Sequence, residues 1–248
     1  MSRRFVVLPT PAEVAIAAAD RIVTVARNAI RRRGRFSLAL SGGSTPPLVY
    51  PLLAASPREE AVDWSRADFF LGDERGVAPD HPESNFGVAR QLLLDQLPGI
   101  RSAAIHRMPA DAADPDAAAA DYQAELARAF DVAPDSPRLP AFDLIWLGMG
   151  SDGHTASLFP GSSSLRERRR WVVATAAPAG MAVARRMTLT LPVINAARAV
   201  LFVVTGADKQ PALRSVRSGS RELPAGRVRA RSTLWLVDAA TAGEVGAS

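Results

Sequence analysis

Short apolar runs rich in β-branched and aromatic residues recur along the chain, and they predict β-strands. The runs are apolar throughout rather than alternating with polar residues, which is typical of strands buried on both faces of a sheet. The predicted strands are Phe5–Leu8, Phe36–Leu40, Asp68–Leu71, Phe142–Leu147, Trp171–Thr175, Met187–Leu191, Ala199–Thr205 and Thr233–Val237.

Segments with the period of an α-helix lie between many of these runs. The predicted helices are Pro11–Arg32, Pro46–Ala55, Ser84–Gln96, Pro115–Phe130 and Asp208–Val216. The alternation predicts an α/β protein with an open, mostly parallel sheet and helices on both faces. We see no internal repeat and no strong shift in composition, so we expect one domain over residues 1–248.

Open parallel sheets bind ligands beyond the carboxyl ends of their strands, so the residues that follow each strand are the informative ones. Four predicted strands are followed by glycine together with polar or charged residues. These segments are Ser41–Thr45, Gly72–Arg75, Gly148–Thr155 and Gly206–Lys209. Because such strand ends meet at one edge of the sheet, the sequence predicts a ligand site there.

The segment Ser41–Thr45 has the features of a phosphate-binding loop. Gly42 and Gly43 allow the backbone to approach a ligand closely, and free N–H groups at a helix start favour an anion. Ser44 or Thr45 is placed to cap the helix that follows. No Gly-Lys-Ser/Thr sequence is present here, so the loop suits a single phosphate rather than a triphosphate. An ordinary strand-to-helix turn is the alternative interpretation.

Cationic residues near other strand ends strengthen the phosphate interpretation. Lys209 is the only lysine in a chain that otherwise uses arginine, and it follows a predicted strand. Arg75 and Arg186 are further candidates, although each is weak on its own because arginine is abundant here.

His154 is the strongest catalytic candidate among the three histidines. It lies in the glycine-rich segment after the most apolar strand, and Asp152 precedes it by two residues and can orient its imidazole. Histidine is the most common general base. A structural, capping role is the alternative for His154, and we expect structural roles for His81 and His106.

Asp73-Glu74-Arg75 supplies carboxylates at a neighbouring strand end, with a surface ion pair as the alternative interpretation. The chain has no cysteine, no His-x-x-x-His pair and no calcium-loop spacing, so we expect neither a metal nor a cofactor. No Gly-x-Ser-x-Gly motif indicates a nucleophilic serine.

The net charge of +5 comes from scattered arginine clusters, including Arg31–Arg33, Arg166–Arg170 and Arg227–Arg231. This pattern matches no nucleic-acid-binding motif, and we expect these clusters to be solvated at helix ends and in loops. No apolar run approaches the roughly 18 residues of a membrane span, and none forms a signal peptide. We therefore expect a cytoplasmic protein without nucleic-acid or membrane partners.

Taken together, these segments resemble the 6-phosphogluconolactonase family, within the glucosamine-6-phosphate isomerase/deaminase-like superfamily. The residues that carry the resemblance are Ser41–Pro46, Gly72–Arg75, Ser84-Asn85, Gly148–Pro160, Arg186–Thr190 and Gly206–Lys209, in the order of the family. The resemblance implies a Rossmann-like fold of the NagB/RpiA/CoA-transferase-like type. It also implies metal-free hydrolysis of 6-phospho-D-glucono-1,5-lactone to 6-phosphogluconate, the second step of the oxidative pentose phosphate pathway.

The resemblance also implies roles for individual residues. Ser41–Thr45, Arg186 and Lys209 would hold the phosphate of a sugar lactone, and His154 would be the general base. Asp73 and Arg75 would line the site. We also expect Asp152 and Asp73 to be catalytic residues, together with His154. We expect N–H groups of Gly148–Gly153, with Gly150 among the binding residues, to stabilise an oxyanion. Arg186 precedes its predicted strand, so that strand should run antiparallel to its neighbours if Arg186 joins the site.

Two other functions remain open at this point. The related deaminases and isomerases of amino-sugar phosphates use a glutamate a few residues beyond the histidine, where this chain has Phe159. A non-catalytic sugar-phosphate-sensing domain would usually carry a DNA-binding segment, and the chain has no room for one. We expect a phosphorylated sugar lactone as the partner, and a monomer or small homo-oligomer.

Overall fold

Two sheets organise the residues that the computed structural model describes, which are 2–133 and 136–243. The strands are β1 (Ser2–Leu8), β2 (Phe36–Leu40), β3 (Ala67–Leu71), β4 (Asp73–Arg75), β5 (Ile105–His106), β6 (Leu144–Leu147), β7 (Val172–Ala176), β8 (Arg185–Leu189), β9 (Val200–Val204) and β10 (Ser232–Asp238). The α-helices are α1 (Pro11–Arg33), α2 (Pro46–Leu53), α3 (Asn85–Ala89), α4 (Pro115–Phe130), α5 (Leu191–Ala196), α6 (Gln210–Arg217) and α7 (Ala239–Ala242).

The main sheet has seven strands in the order β1-β10-β9-β6-β2-β3-β5, and every pairing in it is parallel. From β2 the chain builds outward through β3 and β5, returns to β6 beside β2, and then builds the other way through β9 and β10. The order of the strands therefore reverses between β2 and β6. Ligands of open α/β sheets bind outside the strand ends at such a reversal.

Every residue of β2, β6 and β9 is buried, on both faces of the sheet. This confirms the predicted open, mostly parallel α/β fold, because residues on both faces are buried only when both faces are covered. In the core, Trp146 of β6 meets Tyr50 of α2 edge to face, with ring centroids 5.4 Å apart. The Tyr50 hydroxyl donates to the Ser41 carbonyl at 2.7 Å, which ties the loop after β2 to the core. Burial raises the pKa of Tyr50, so this hydroxyl stays protonated and remains a donor.

A second sheet has three strands in the order β4-β8-β7, and both of its pairings are antiparallel. The antiparallel direction that was predicted for the strand after Arg186 is thus confirmed. Arg186 lies inside β8 rather than before it, because the strand begins at Arg185. β4 was not predicted, since it has only three residues, all of them charged.

Helix boundaries depart from the prediction where local hydrogen bonding decides them. The segment predicted as one helix from Ser84 to Gln96 divides into α3 and a π-helical turn, Arg90–Leu94. The predicted side-chain cap of α2 by Ser44 or Thr45 is wrong. The second helical residue, Pro47, has no N–H, and the N–H of the third, Leu48, donates to the Thr45 backbone carbonyl at 3.0 Å instead. Within the described residues, no helix has the length and apolar character needed to cross a bilayer.

Candidate active site

A cavity of about 280 Å³ opens at the carboxyl edge of the main sheet and is completed by the second sheet. The predicted site residues that line it are Ser41, Gly42, Gly43, Ser44, Thr45, Asp73, Arg75, Gly150, His154, Arg186 and Lys209. Asp152 does not line the cavity and contacts His154 instead. Segments that are up to 168 residues apart in sequence, from Ser41 to Lys209, therefore meet in one place.

The loop after β2 presents backbone donors to this cavity. Among the described residues, the N–H groups of Gly42, Gly43, Ser44 and Thr45 have no hydrogen-bond acceptor. Gly43 has φ of +94°, in the left-handed region that favours glycine. Successive unpaired N–H groups in such a turn form a concave site for an anion. We call the segment Ser41–Thr45 the cradle.

Arg75 and Arg186 are direct partners across the β4–β8 pairing. Like charges at opposite positions of adjacent strands destabilise a sheet. Burial lowers the pKa of Arg186, and the nearby Arg75 lowers it further. Backbone carbonyls orient both guanidinium groups: Arg75 donates to Glu83 at 2.7 Å and Arg186 donates to Val183 at 3.0 Å. A bound anion would relieve the repulsion between them.

Lys209 reaches the cavity from the turn after β9. Its ammonium group contacts both carboxylate oxygens of Asp208, at 2.9 and 2.7 Å. This hydrogen bond lowers the pKa of Asp208. Because the Asp208 side chain is 60% exposed, solvent screens this ion pair, and the ammonium can turn toward an anion in the cavity.

His154 is oriented by the carboxylate of Asp152. The distance between His154 Nδ1 and Asp152 Oδ1 is 2.6 Å, and the same oxygen accepts the His154 backbone N–H at 3.0 Å. A carboxylate only accepts, so Nδ1 carries the proton and Nε2 keeps its lone pair. Gly150 makes room for this pair, because a Cβ atom there would lie 2.2 Å from His154 Nδ1.

Some backbone N–H groups of the glycine-rich loop after β6 already donate to carbonyl groups of the same loop. The N–H of Gly150 donates to the His154 carbonyl at 3.0 Å, and the N–H of Gly153 donates to the Gly150 carbonyl at 2.9 Å. Neither group is free for an oxyanion. Gly148 and Met149 also line the cavity, and their N–H groups have no acceptor among the described residues.

Asp73 faces the cavity with its carboxylate held by residues that the sequence did not single out. Ser157 donates from its hydroxyl to Asp73 Oδ2 at 2.6 Å, and Asn85 donates to the Asp73 carbonyl at 2.9 Å. Glu74 is buried and does not line the cavity. Its carboxylate accepts hydrogen bonds from the Ser84–Phe86 segment instead. Asn85 is among the residues that carry the family resemblance and Ser157 lies in the segment Gly148–Pro160, but neither of them was assigned a role from the sequence.

The other two histidines do not line the cavity. His106 Nδ1 lies 2.6 Å from Glu125, and its ring stacks on Phe70 with centroids 4.2 Å apart. His81 accepts the Glu83 N–H at 3.0 Å. These contacts are structural. In the part of the chain that the structure describes, no three His, Asp or Glu side chains group as metal ligands would.

The fold and the cavity define an open α/β protein with an anion cradle and an oriented histidine at the point where the strand order reverses. Residues 9–235 match the family described as glucosamine-6-phosphate isomerases/6-phosphogluconolactonase, and the chain belongs to that family.

Named relatives support this assignment along the whole chain. A 6-phosphogluconolactonase from Nostoc sp. is 39% identical over a 249-residue alignment that spans 99% of both proteins. The solved 6-phosphogluconolactonase from Trypanosoma cruzi superposes with a TM-score of 0.85 at 30% identity, covering 99% of this chain and 98% of the other. A monomeric glucosamine-6-phosphate deaminase gives 0.81 at 18% identity, covering 98% and 100%, and shares the fold alone.

Proposed function

We propose that the protein hydrolyses 6-phospho-D-glucono-1,5-lactone to 6-phospho-D-gluconate, the second step of the oxidative pentose phosphate pathway. The observation that carries the proposal is one cavity lined by both an anion cradle and His154, whose Nδ1 contacts Asp152 at 2.6 Å. The identity of 39% with a named 6-phosphogluconolactonase supports the choice of substrate.

In this proposal the cradle binds the substrate phosphate. Unpaired N–H groups of the loop would donate to the phosphate oxygens, and Arg186 and Lys209, which line the same cavity, would supply positive charge. Arg75 is the cross-strand partner of Arg186 and would also contribute positive charge to phosphate binding. The Asp73 carboxylate, which accepts a hydrogen bond from Ser157, would also accept one from a hydroxyl group of the sugar ring.

His154 acts as the general base and then as the general acid. Nε2 takes a proton from a water whose oxygen attacks C1 of the lactone, and a tetrahedral oxyanion forms. Asp152 stabilises the resulting imidazolium. The bond from C1 to the ring oxygen then breaks, the ring oxygen takes the proton from Nε2, and the carboxylic acid product releases a proton to solvent. The N–H groups of Gly148 and Met149 are the donors for the oxyanion.

Phe159 distinguishes this reaction from amino-sugar deamination. Its side chain is buried against His154, with ring centroids 4.8 Å apart, and it lines the cavity. Opening of a sugar ring and aldose–ketose conversion require a second group that transfers protons, in addition to the histidine. A phenyl ring cannot transfer a proton. Ester hydrolysis needs only the one base, so the apolar ring favours the lactonase.

Substitution of His154 by asparagine tests the role of the base. Asparagine keeps a donor for Asp152 and removes the basic nitrogen. We expect kcat for the lactone to fall by about 10²- to 10⁴-fold, the usual contribution of a general base, with little change in KM. Stopped-flow measurement of proton release, corrected for spontaneous hydrolysis, gives both constants.

The matched control is His106→Asn, because His106 does not line the cavity. We expect this variant to lose stability and to keep wild-type turnover. A folded His154→Asn protein with near-normal kcat would remove His154 from the mechanism.

A further inference from the structure

A buried carboxylate fixes the segment that carries Asn85. Glu74 is 3% exposed and accepts the backbone N–H groups of Asn85 and Phe86, each at 2.8 Å, and the Ser84 hydroxyl at 3.0 Å. The N–H of Arg75 is a fourth donor, at 2.7 Å. Burial raises the pKa of Glu74, and these hydrogen bonds act against that rise. The position of Asn85 is therefore set by the protein itself.

The Asn85 amide reaches in two directions. Its nitrogen donates to the Asp73 carbonyl at 2.9 Å and lies 3.5 Å from the Asp73 carboxylate. Its oxygen lies against Gly42 of the cradle, where a Cβ atom would be 1.8 Å away. The backbone of Gly42 is not in the left-handed region, so this contact alone requires glycine at that position. Asn85 is thus wedged between the cradle and Asp73.

The Asn85 oxygen is buried and has no hydrogen-bond donor among the described residues. An unpaired buried acceptor is costly, and such groups are uncommon in native proteins. The cradle beside it carries N–H groups that are themselves unpaired. A small shift of the cradle peptides would pair the two, and binding of an anion to the cradle is an event that can drive such a shift.

We propose that Asn85 is a positioning residue that couples occupancy of the cradle to the placement of Asp73. When phosphate binds, an N–H group of the cradle donates to the Asn85 side-chain oxygen. This hydrogen bond fixes the amide, and the distance of 3.5 Å between its nitrogen and the Asp73 carboxylate shortens. Phosphate binding then raises the rate of the chemical step as well as the affinity, because remote binding energy is used to orient a group at the reacting end. This inference rests on the proposed lactonase function.

Two substrates separate coupling from binding: 6-phosphogluconolactone and its unphosphorylated counterpart, glucono-1,5-lactone. For Asn85→Ser we expect kcat for the phosphorylated lactone to fall about tenfold, the size of one lost neutral hydrogen bond, with KM changed less than about threefold. For glucono-1,5-lactone we expect kcat/KM to stay within about twofold of wild type, because this substrate has no phosphate to occupy the cradle. Inorganic phosphate should raise the thermal midpoint of the variant and of the wild type alike.

Asn195→Ser is the matched control, since Asn195 is partly buried and hydrogen-bonded but lies outside the cavity. It should leave kcat for the phosphorylated lactone and kcat/KM for glucono-1,5-lactone unchanged. Asn85→Ala removes the amide without adding charge, so it should give the same loss if Asn85→Ser does not fold.

Two results would overturn the inference while the lactonase stands. One is a folded Asn85 variant in which kcat for the phosphorylated lactone falls no more than kcat/KM for glucono-1,5-lactone. The other is loss of the thermal shift by phosphate, which would make Asn85 a support of the cradle only. A wild-type protein that hydrolyses neither lactone would instead overturn the proposed function, and this inference with it.

Discussion

Arg75 and Arg186 place two like charges side by side in the second sheet. They oppose each other across two antiparallel strands, and no carboxylate among the described residues lies within 4.0 Å of Arg186. Backbone carbonyls hold both guanidinium groups, and Arg75 also lies 3.8 Å from the Glu83 carboxylate. Like charges at such positions destabilise a sheet, so the folded protein carries a cost that an anion would remove.

Replacement of Arg186 by methionine should therefore have opposite effects on function and stability. We expect KM for the phosphorylated lactone to rise by about 10- to 100-fold, the range for a lost charge-assisted hydrogen bond. The thermal midpoint should stay level or rise, because the repulsion with Arg75 is gone. Arg185→Met is the control, since Arg185 is exposed and does not line the cavity. An unchanged KM in Arg186→Met would contradict a role in phosphate binding.

Single residues also mark the limit of what the sequence can tell. The cradle, His154 and Lys209 could be found because each follows a strand of the parallel sheet, and such strand ends share one edge. Ser157 and Asn85 were not singled out, because their value depends on contact with Asp73. Those contacts join residues that are 84 and 12 positions apart and arise only once the second sheet has formed.

At the scale of elements, hydrophobic pattern predicted the long and apolar segments best. The bounds of β2 and α4 agree with the prediction at both ends, since a continuous apolar run and a proline-opened amphipathic helix leave little choice. β4 was missed because a strand of three charged residues has no local signal. It forms because β8, more than one hundred residues later, supplies its partner.

Loops held by side chains are another kind of element that the pattern does not reveal. The basic cluster Arg166–Arg170 was expected to be simply solvated, yet Glu167 orders its backbone. Glu167 Oε1 accepts the N–H groups of Arg168 and Arg169 at 2.8 Å and that of Arg170 at 3.1 Å. Burial alone would raise the pKa of Glu167, but these donors and the Arg170 guanidinium lower it from 4.5 to about 2.

This turn predicts a pH-dependent contribution to stability. Because the folded-state pKa lies below the unfolded one, Glu167 stabilises the protein above pH 4.5 and loses that effect as the pH falls toward 2. We expect Glu167→Gln to lower the thermal midpoint at pH 7 by about 2–4 °C. The difference from wild type should shrink steadily below pH 4.5 in calorimetric scans.

Glu222→Gln is the matched control for the turn, because the Glu222 side chain is exposed. Among the described residues, its carboxylate has no hydrogen bond or ion pair. The thermal midpoint of Glu222→Gln should equal that of wild type at every pH. A difference between Glu167→Gln and wild type that is as large at pH 3 as at pH 7 would show that the carboxylate does not act through its charge.

At the scale of the whole molecule, the topology brings the chemistry together. The reversal of strand order between β2 and β6 sets the cradle beside the His154 loop, and the small antiparallel sheet adds Asp73, Arg75 and Arg186 to the same cavity. Positive charge and an oriented histidine thus meet in one cavity above the core. In our account, this arrangement holds a phosphorylated lactone with its C1 carbon near His154.

The most direct test of that account compares two reactions of the wild-type protein. In a weakly buffered solution, proton release from freshly generated 6-phosphogluconolactone is followed against its spontaneous rate, and ammonia release from glucosamine-6-phosphate is assayed in parallel. We predict proton release that accelerates in proportion to protein concentration, and no release of ammonia. Ammonia release without any acceleration of lactone hydrolysis would contradict the account.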